Sequence, residues 1–162
     1  MKTTPGIFIM CHSDAGFGYK VNSKMAAGLY FREVFTQKYS TWSSEHRPYG
    51  QVVGKLKMLN LSLSGRARME YRITSDEKKF RNRDMVTIKS GHSFSSLKLV
   101  PYLADEIFYD LEENELNKNR FYLGVKIKKF GFVKPAVYLM RQSSLKNDKW
   151  TYFDVLGLKF SF

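Results

Sequence analysis

The sequence predicts an all-β fold, an antiparallel up-and-down transmembrane β-barrel of about nine or ten strands, and three observations carry that expectation. Residues 61–73 alternate without a break. Leu61, Leu63, Gly65, Ala67, Met69, Tyr71 and Ile73 fall on one side, and Ser62, Ser64, Arg66, Arg68, Glu70 and Arg72 on the other, which is the two-residue period of a strand. The aromatic share is 15%, with 13 Phe, 10 Tyr and 2 Trp, a composition that suits strands and interfacial girdles better than a helical bundle. No segment between strands is long enough for a helical crossover. Nor does the 162-residue chain contain the ~20 consecutive apolar residues of a membrane-spanning helix.

Taken in order, strands are expected at 15–21 and 26–36, joined tightly at Asn22-Ser23. Gly28 and the aromatic and β-branched residues after it outweigh a helical reading of Ala26 to Phe35. A long connection over 37–47 leads to strand 48–58, and Leu59-Asn60 turns tightly into 61–73. Strand 81–90 follows a connection at 74–80, and strand 97–109 follows one at 91–96. In the latter, Leu97, Leu99, Leu103 and Ile107 oppose Lys98, Val100, Tyr102, Ala104 and Glu106, with Pro101 and Asp105 on the apolar side. After 110–118, strand 119–129 sets Phe121, Leu123, Val125 and Ile127 against Arg120, Tyr122, Gly124, Lys126 and Lys128. A short turn near Phe130-Gly131 leads to strand 132–142, and 143–149 leads to the last strand, 150–162. No Gly/Ser-rich or Pro-rich linker divides the chain, so residues 1–162 form one domain.

Short and long connections alternate along this series, as tight turns on one rim of a barrel and longer loops on the other would require. If the last residue lies on the tight-turn rim, the loops near 145, 113, 77 and 42 lie on the far rim. Alternation alone does not say which face is inside, because a soluble barrel buries the apolar face and a membrane barrel turns it to lipid. The polar face carries Arg66, Arg68, Glu70, Arg72, Lys98, Tyr102, Glu106, Arg120, Tyr122 and Lys126. That mixture of signs is what a lumen held by ion pairs between neighbouring strands needs. These residues are therefore expected to line the interior, with Glu106 paired to Arg66, Arg68 or Arg120. A solvated outer face is the other reading of the same residues.

The net charge of +12 gives the chain an affinity for phosphate. The basic residues lie at alternate strand positions, and no helix-turn-helix or zinc-finger pattern is present, so nucleic acid is not the favoured partner. A lipopolysaccharide surface or an anionic solute in a pore fits the charge as well. Cys11 is alone, which excludes an intrachain disulfide and a thiolate metal cluster. The histidines are His12, His46 and His92. His92 adjoins Ser93, but neighbours in a strand point to opposite faces, and there is no G-x-S-x-G elbow. The acidic stretch Asp110 to Glu115 lacks the ligand spacing of a calcium loop. No catalytic residue, metal or cofactor is expected. The function expected is non-enzymatic, a narrow channel or a structural and envelope-interaction role. The alternative is a soluble up-and-down barrel that binds an acidic ligand or nucleic acid through a basic surface.

The last strand alternates from Trp150 to Phe162, broken on its apolar face only by Asp154. Its ending, with Leu158, Phe160 and the terminal Phe162, resembles the C-terminal sorting signal of bacterial outer-membrane barrels. Upstream lie Glu45-His-Arg-Pro-Tyr49, Arg66-Ala-Arg-Met-Glu-Tyr-Arg72, Pro101-Tyr-Leu-Ala-Asp-Glu106, Asn119-Arg120 and the strand of Tyr138. In this order, over about residues 45–162, they resemble an uncharacterised family of bacterial outer-membrane β-barrels. The resemblance implies the outer membrane of a Gram-negative bacterium, contact with lipid and lipopolysaccharide, and recognition of the last strand by the barrel-assembly machinery. It implies no particular activity. Members of that family usually carry a signal peptide and further strand material at the N-terminus, and this chain is expected to depart from them there. Because bacterial single-chain barrels have even strand numbers, either Gly6 to Cys11 forms a short tenth strand turned at His12 to Gly16, or the barrel is N-terminally incomplete. The second is the favoured expectation.

Overall fold

In the computed structural model, which describes residues 8–38, 41–128 and 133–161, the chain forms strands and no helix among those residues. The elements are β1 (Phe8–Lys20), β2 (Met25–Lys38), β3 (Thr41–Met58), β4 (Leu61–Ile73), β5 (Lys78–Ser90), β6 (Leu99–Asp110), β7 (Glu115–Ile127), β8 (Ala136–Lys146) and β9 (Lys149–Lys159). They make one 9-stranded sheet in chain order, each pair antiparallel. The sheet is open: among the described residues β1 and β9 are its two edges and do not pair with each other. The meander is thus as expected, and the closed barrel is not what the sheet forms here.

β4 has the bounds its alternation predicted. β6 and β9 are shorter than expected and β8 lies four residues further along, whereas β2, β3, β5 and β7 are longer, for one physical reason. On this sheet one face is polar by design, so polar stretches that read as loops are strands. Residues 41–47, expected in a long connection, extend β3, with Lys38 opposite Thr41. Phe8 to Lys20 is one strand, so no turn at His12 to Gly16 separates a tenth. The expected loop at 143–149 shrinks to Asn147-Asp148, whose φ values of 48° and 60° fit a two-residue hairpin turn of the primed type.

These changes overturn the expected alternation of connection lengths. Odd-numbered strands end on the rim that also carries the chain's C-terminal end. There, residues 91–98 join β5 to β6, the longest connection among those whose residues are all described, and the turn expected near Phe130-Gly131 lies outside the described residues. On the opposite rim one join is only Asn147-Asp148. Connection length therefore gives no support to the side of a membrane assigned to the C-terminus.

The sheet curves so that one face is concave, and side chains from strands two apart meet on it. Asp14 of β1 accepts from the Tyr49 hydroxyl of β3 at 3.0 Å, and Arg66 of β4 reaches Glu106 of β6. Neighbouring strands lie ~4.8 Å apart, so a flat sheet would hold such residues roughly 10 Å from each other. What fills the concavity is mostly polar. Arg68, Glu70, Arg81, Arg83, Glu106, Asp110 and Gln142 are buried, alongside Val34, Tyr49, Val100, Ala104, Phe108 and Ala136. The convex face carries Leu29 at 73% exposure, Leu123 at 53% and Leu156 at 74%, whereas Glu70 is at 0%. This inverts the usual distribution, in which charged side chains are almost never fully buried.

Candidate functional site

The concave face is built on cross-strand pairs. The register sets Glu70 of β4 opposite Arg81 of β5, Arg68 opposite Arg83, and Glu106 of β6 opposite Arg120 of β7. Glu70 accepts from Arg81 Nη2 at 2.5 Å, from Arg83 Nη1 at 2.6 Å and from Arg68 Nη1 at 3.3 Å. The second nitrogen of Arg83 donates to Glu106 at 2.8 Å, so one guanidinium bridges the two buried carboxylates. Glu106 also pairs with Arg66, lies 3.9 Å from Arg120 Nη1 and accepts from the Tyr122 hydroxyl at 3.4 Å. Arg120 in turn donates to Gln142 of β8 at 2.7 Å.

Two flanking groups extend the network toward β1. Glu45 is shared by Arg47, at 2.6 Å, and Arg72. Arg68 donates to Gln51 at 2.8 Å, and its guanidinium lies 4.1 Å from the centre of the Tyr49 ring. Tyr49 stacks on Tyr30 at 5.1 Å between centroids. Phe108 of β6 is buried at 2% exposure within a ring of cations. Its ring centre is 4.7 Å from Arg83, 5.0 Å from Arg120 and 5.2 Å from Arg81, where the negative face of the ring helps compensate cations removed from water. Arginines outnumber carboxylates in this cluster, and Nε of Arg47, Arg66, Arg81 and Arg83 is buried without a partner.

Nearer the C-terminal rim the concavity opens into a cavity of about 770 Å³. Tyr102, Tyr122 and Tyr138 wall it, and Arg66, Arg83 and Glu106 form its floor. Two of these rings lie against a glycine of the next strand. A Cβ on Gly124 would fall 2.6 Å from the Tyr102 ring, and one on Gly157 would clash with Tyr138.

The network therefore unites Arg66, Arg68, Glu70, Arg72, Glu106, Arg120 and Tyr122 of the predicted interior. The acid–base partner expected for Glu106 is met by Arg66 and Arg120, while Arg68 goes to Glu70. Tyr102 and Lys126 line the cavity instead of the network. Lys98 departs from the expectation. It sits exposed in the turn before β6 with φ of 52°, because that strand begins at Leu99 rather than residue 97. Leu158 and Phe160 are exposed on the convex side, at 59% and 54%, and Phe162 lies outside the described residues.

Sequence reasoning missed Arg81, Arg83 and Phe108. Strand 81–90 showed no clean period because its other face carries Asn82 and Asp84, which bond to each other at 2.7 Å. Asp154, the break in the last strand, has an explanation here. It stands opposite Arg141 on the convex face and accepts two bonds from it, at 2.8 and 2.9 Å.

A family model described as protein of unknown function (DUF2490) matches residues 11–152. No curated protein and no solved structure matches the chain. The family match reaches further toward the N-terminus than residue 45, and it ends before Leu158 and Phe160. It runs from β1 into β9 and takes in every residue of the Glu70–Glu106 network, and the chain belongs to this family of proteins of unknown function.

Proposed function

We propose that this is a non-enzymatic outer-membrane β-barrel protein of a Gram-negative bacterium, whose convex face meets lipid and whose concave face is a lumen filled by the arginine–glutamate network. The observation that carries the reading is the inverted burial: fully buried Glu70 and Glu106 on one face, and exposed Leu29, Leu123, Leu139 and Leu156 on the other. A soluble barrel of the lipocalin type would need these faces exchanged, and period-two alternation forbids exchanging a few residues without turning the whole strand. The strands, 11 to 18 residues long, are long enough to cross a bilayer, which takes ~9 to 11. The convex polar groups are largely paired with one another, as in Arg141 with Asp154 and Asn119 with Asp105 at 2.8 Å. In lipid both sheet edges must find partners, since unsatisfied backbone groups cost several kcal/mol each, so the reading includes closure of the β1 and β9 edges.

Arg66, Arg83 and Arg120, converging on Glu106, span β4 to β7, and in a closed barrel they would fill part of the lumen. This favours a structural or envelope-interaction role over a wide pore. The full-length protein is expected to fold in non-ionic detergent micelles, with a gel mobility that changes on boiling. A chain that is monomeric, folded and free of detergent in plain buffer would overturn the proposal in favour of a soluble barrel.

A further inference from the structure

The cavity on the C-terminal rim differs in chemistry from the network beneath it. Eight cationic side chains line it against a single carboxylate, Glu106, which is already engaged by Arg66 and Arg83 at the floor. The other six cations are lysines 57, 89, 126, 128, 134 and 159. None of them makes an ion pair among the described residues, whereas every buried arginine of the network has a carboxylate. The register concentrates three of them. Lys126 of β7 and Lys159 of β9 stand on one row with only Ala136 between them, so nothing bulky separates their ammonium groups. Lys89 of β5 lies beside Tyr102, over whose ring the Lys126 ammonium sits at 5.3 Å. Like charges gathered in this way repel one another unless an anion lies among them.

The remaining wall indicates what the anion is attached to. Tyr122 and Tyr138 are 5.7 Å apart and tilted at 59°, and Tyr102 is held in place by its packing on Gly124. Together with Met85 and Val100 they present aromatic and apolar surface, while Ser62, Thr87 and Ser90 add hydroxyl groups. Lysine is a compact point charge suited to phosphate oxygens, and aromatic faces accept a planar or apolar body.

We infer that this cavity binds an organic molecule carrying two or more phosphate groups, with Lys89, Lys126 and Lys159 on the phosphates and Tyr102, Tyr122 and Tyr138 on its body. The site is on the concave face whether the convex face meets lipid or water, so it stands independently of the membrane proposal. The phosphates could belong to a soluble compound or to a lipid headgroup, and the test separates them.

Titration calorimetry on the full chain in dodecyl maltoside micelles uses ATP as one probe and micelles doped with cardiolipin as the other. Saturable binding of either is expected, the responsive probe naming the source. The triple variant Lys89→Gln/Lys126→Gln/Lys159→Gln is expected to weaken it about tenfold or more, the loss of roughly 1.4 kcal/mol. A control of equal charge change on the opposite rim, Lys78→Gln/Lys146→Gln/Lys149→Gln, is expected to weaken it less than about threefold, since exposed charges act weakly at a distance. Circular dichroism establishes that both variants are folded. Failure of both probes to bind the wild type, or equal losses in the two triple variants, would overturn the inference. Equal losses would mean that overall charge, and not the cavity, attracts the anion.

Discussion

Glu70→Ala is expected to be the most damaging single substitution on the concave face, lowering stability in micelles by about 3–5 kcal/mol. Glu70 is fully buried and holds Arg81, Arg83 and Arg68 within 3.3 Å. All three guanidinium groups are themselves buried. Removing the carboxylate leaves cations in a low-dielectric interior with only Glu106 and Gln51 as acceptors, and an uncompensated buried charge costs far more than a lost surface pair. Glu70→Gln keeps the volume and one acceptor oxygen, so its loss should be smaller. Glu113→Ala, which removes an exposed rim partner of Lys79, should cost no more than about 1 kcal/mol. Urea titrations of the three variants measure the order directly. If Glu70→Ala unfolds within about 1 kcal/mol of the wild type, the network does not hold the sheet together.

The second large effect is expected on the other face and depends on the medium. Leu123 lies at the middle of β7, flanked by Leu103 and Leu139 on the adjacent strands, and is 53% exposed. In water, exchanging so exposed a leucine for arginine changes stability by about 0.5 kcal/mol or less. Near the midplane of a bilayer the same exchange costs about 2–4 kcal/mol. Leu123→Arg should therefore fold poorly into phosphatidylcholine vesicles, and Leu139→Arg should behave in the same way. Wild-type folding yield for both in vesicles would mean that this face does not lie in hydrocarbon.

Much of this was legible in the amino-acid order, and the failures share a cause. Where one face was apolar and the other charged, as in residues 61–73 and 119–127, both the strand and its faces could be read directly. Where both faces are polar the period vanishes: Asn82 and Asp84 hid the inward pair Arg81 and Arg83, both bound to Glu70, of which Arg83 also reaches Glu106. Residues 41–47 were concealed in the same way, since Glu45 and Arg47 look like loop residues until Arg72 appears across the sheet. Partner choice was harder still. Glu106 could be recognised as an inward acid, but Arg83 became its partner because β5 lies between β4 and β6, and its register sets Arg83 diagonally between the two carboxylates. Connection lengths depended on strand ends, which polar flanks blurred, so the expected alternation of short and long connections did not hold among the described residues.

The direct test of the central claim is a labelling scan along β7. With Cys11, the single cysteine, replaced by Ser, new cysteines at positions 120 to 123, 125 and 126 carry an environment-sensitive fluorophore in protein folded into vesicles. Quenching by brominated lipid should alternate, strong at 121, 123 and 125 and weak at 120, 122 and 126. Aqueous iodide should not quench the odd positions. Strong iodide quenching at 121, 123 and 125 with no effect of brominated lipid would contradict the account, because it would place the leucine face of the sheet in water.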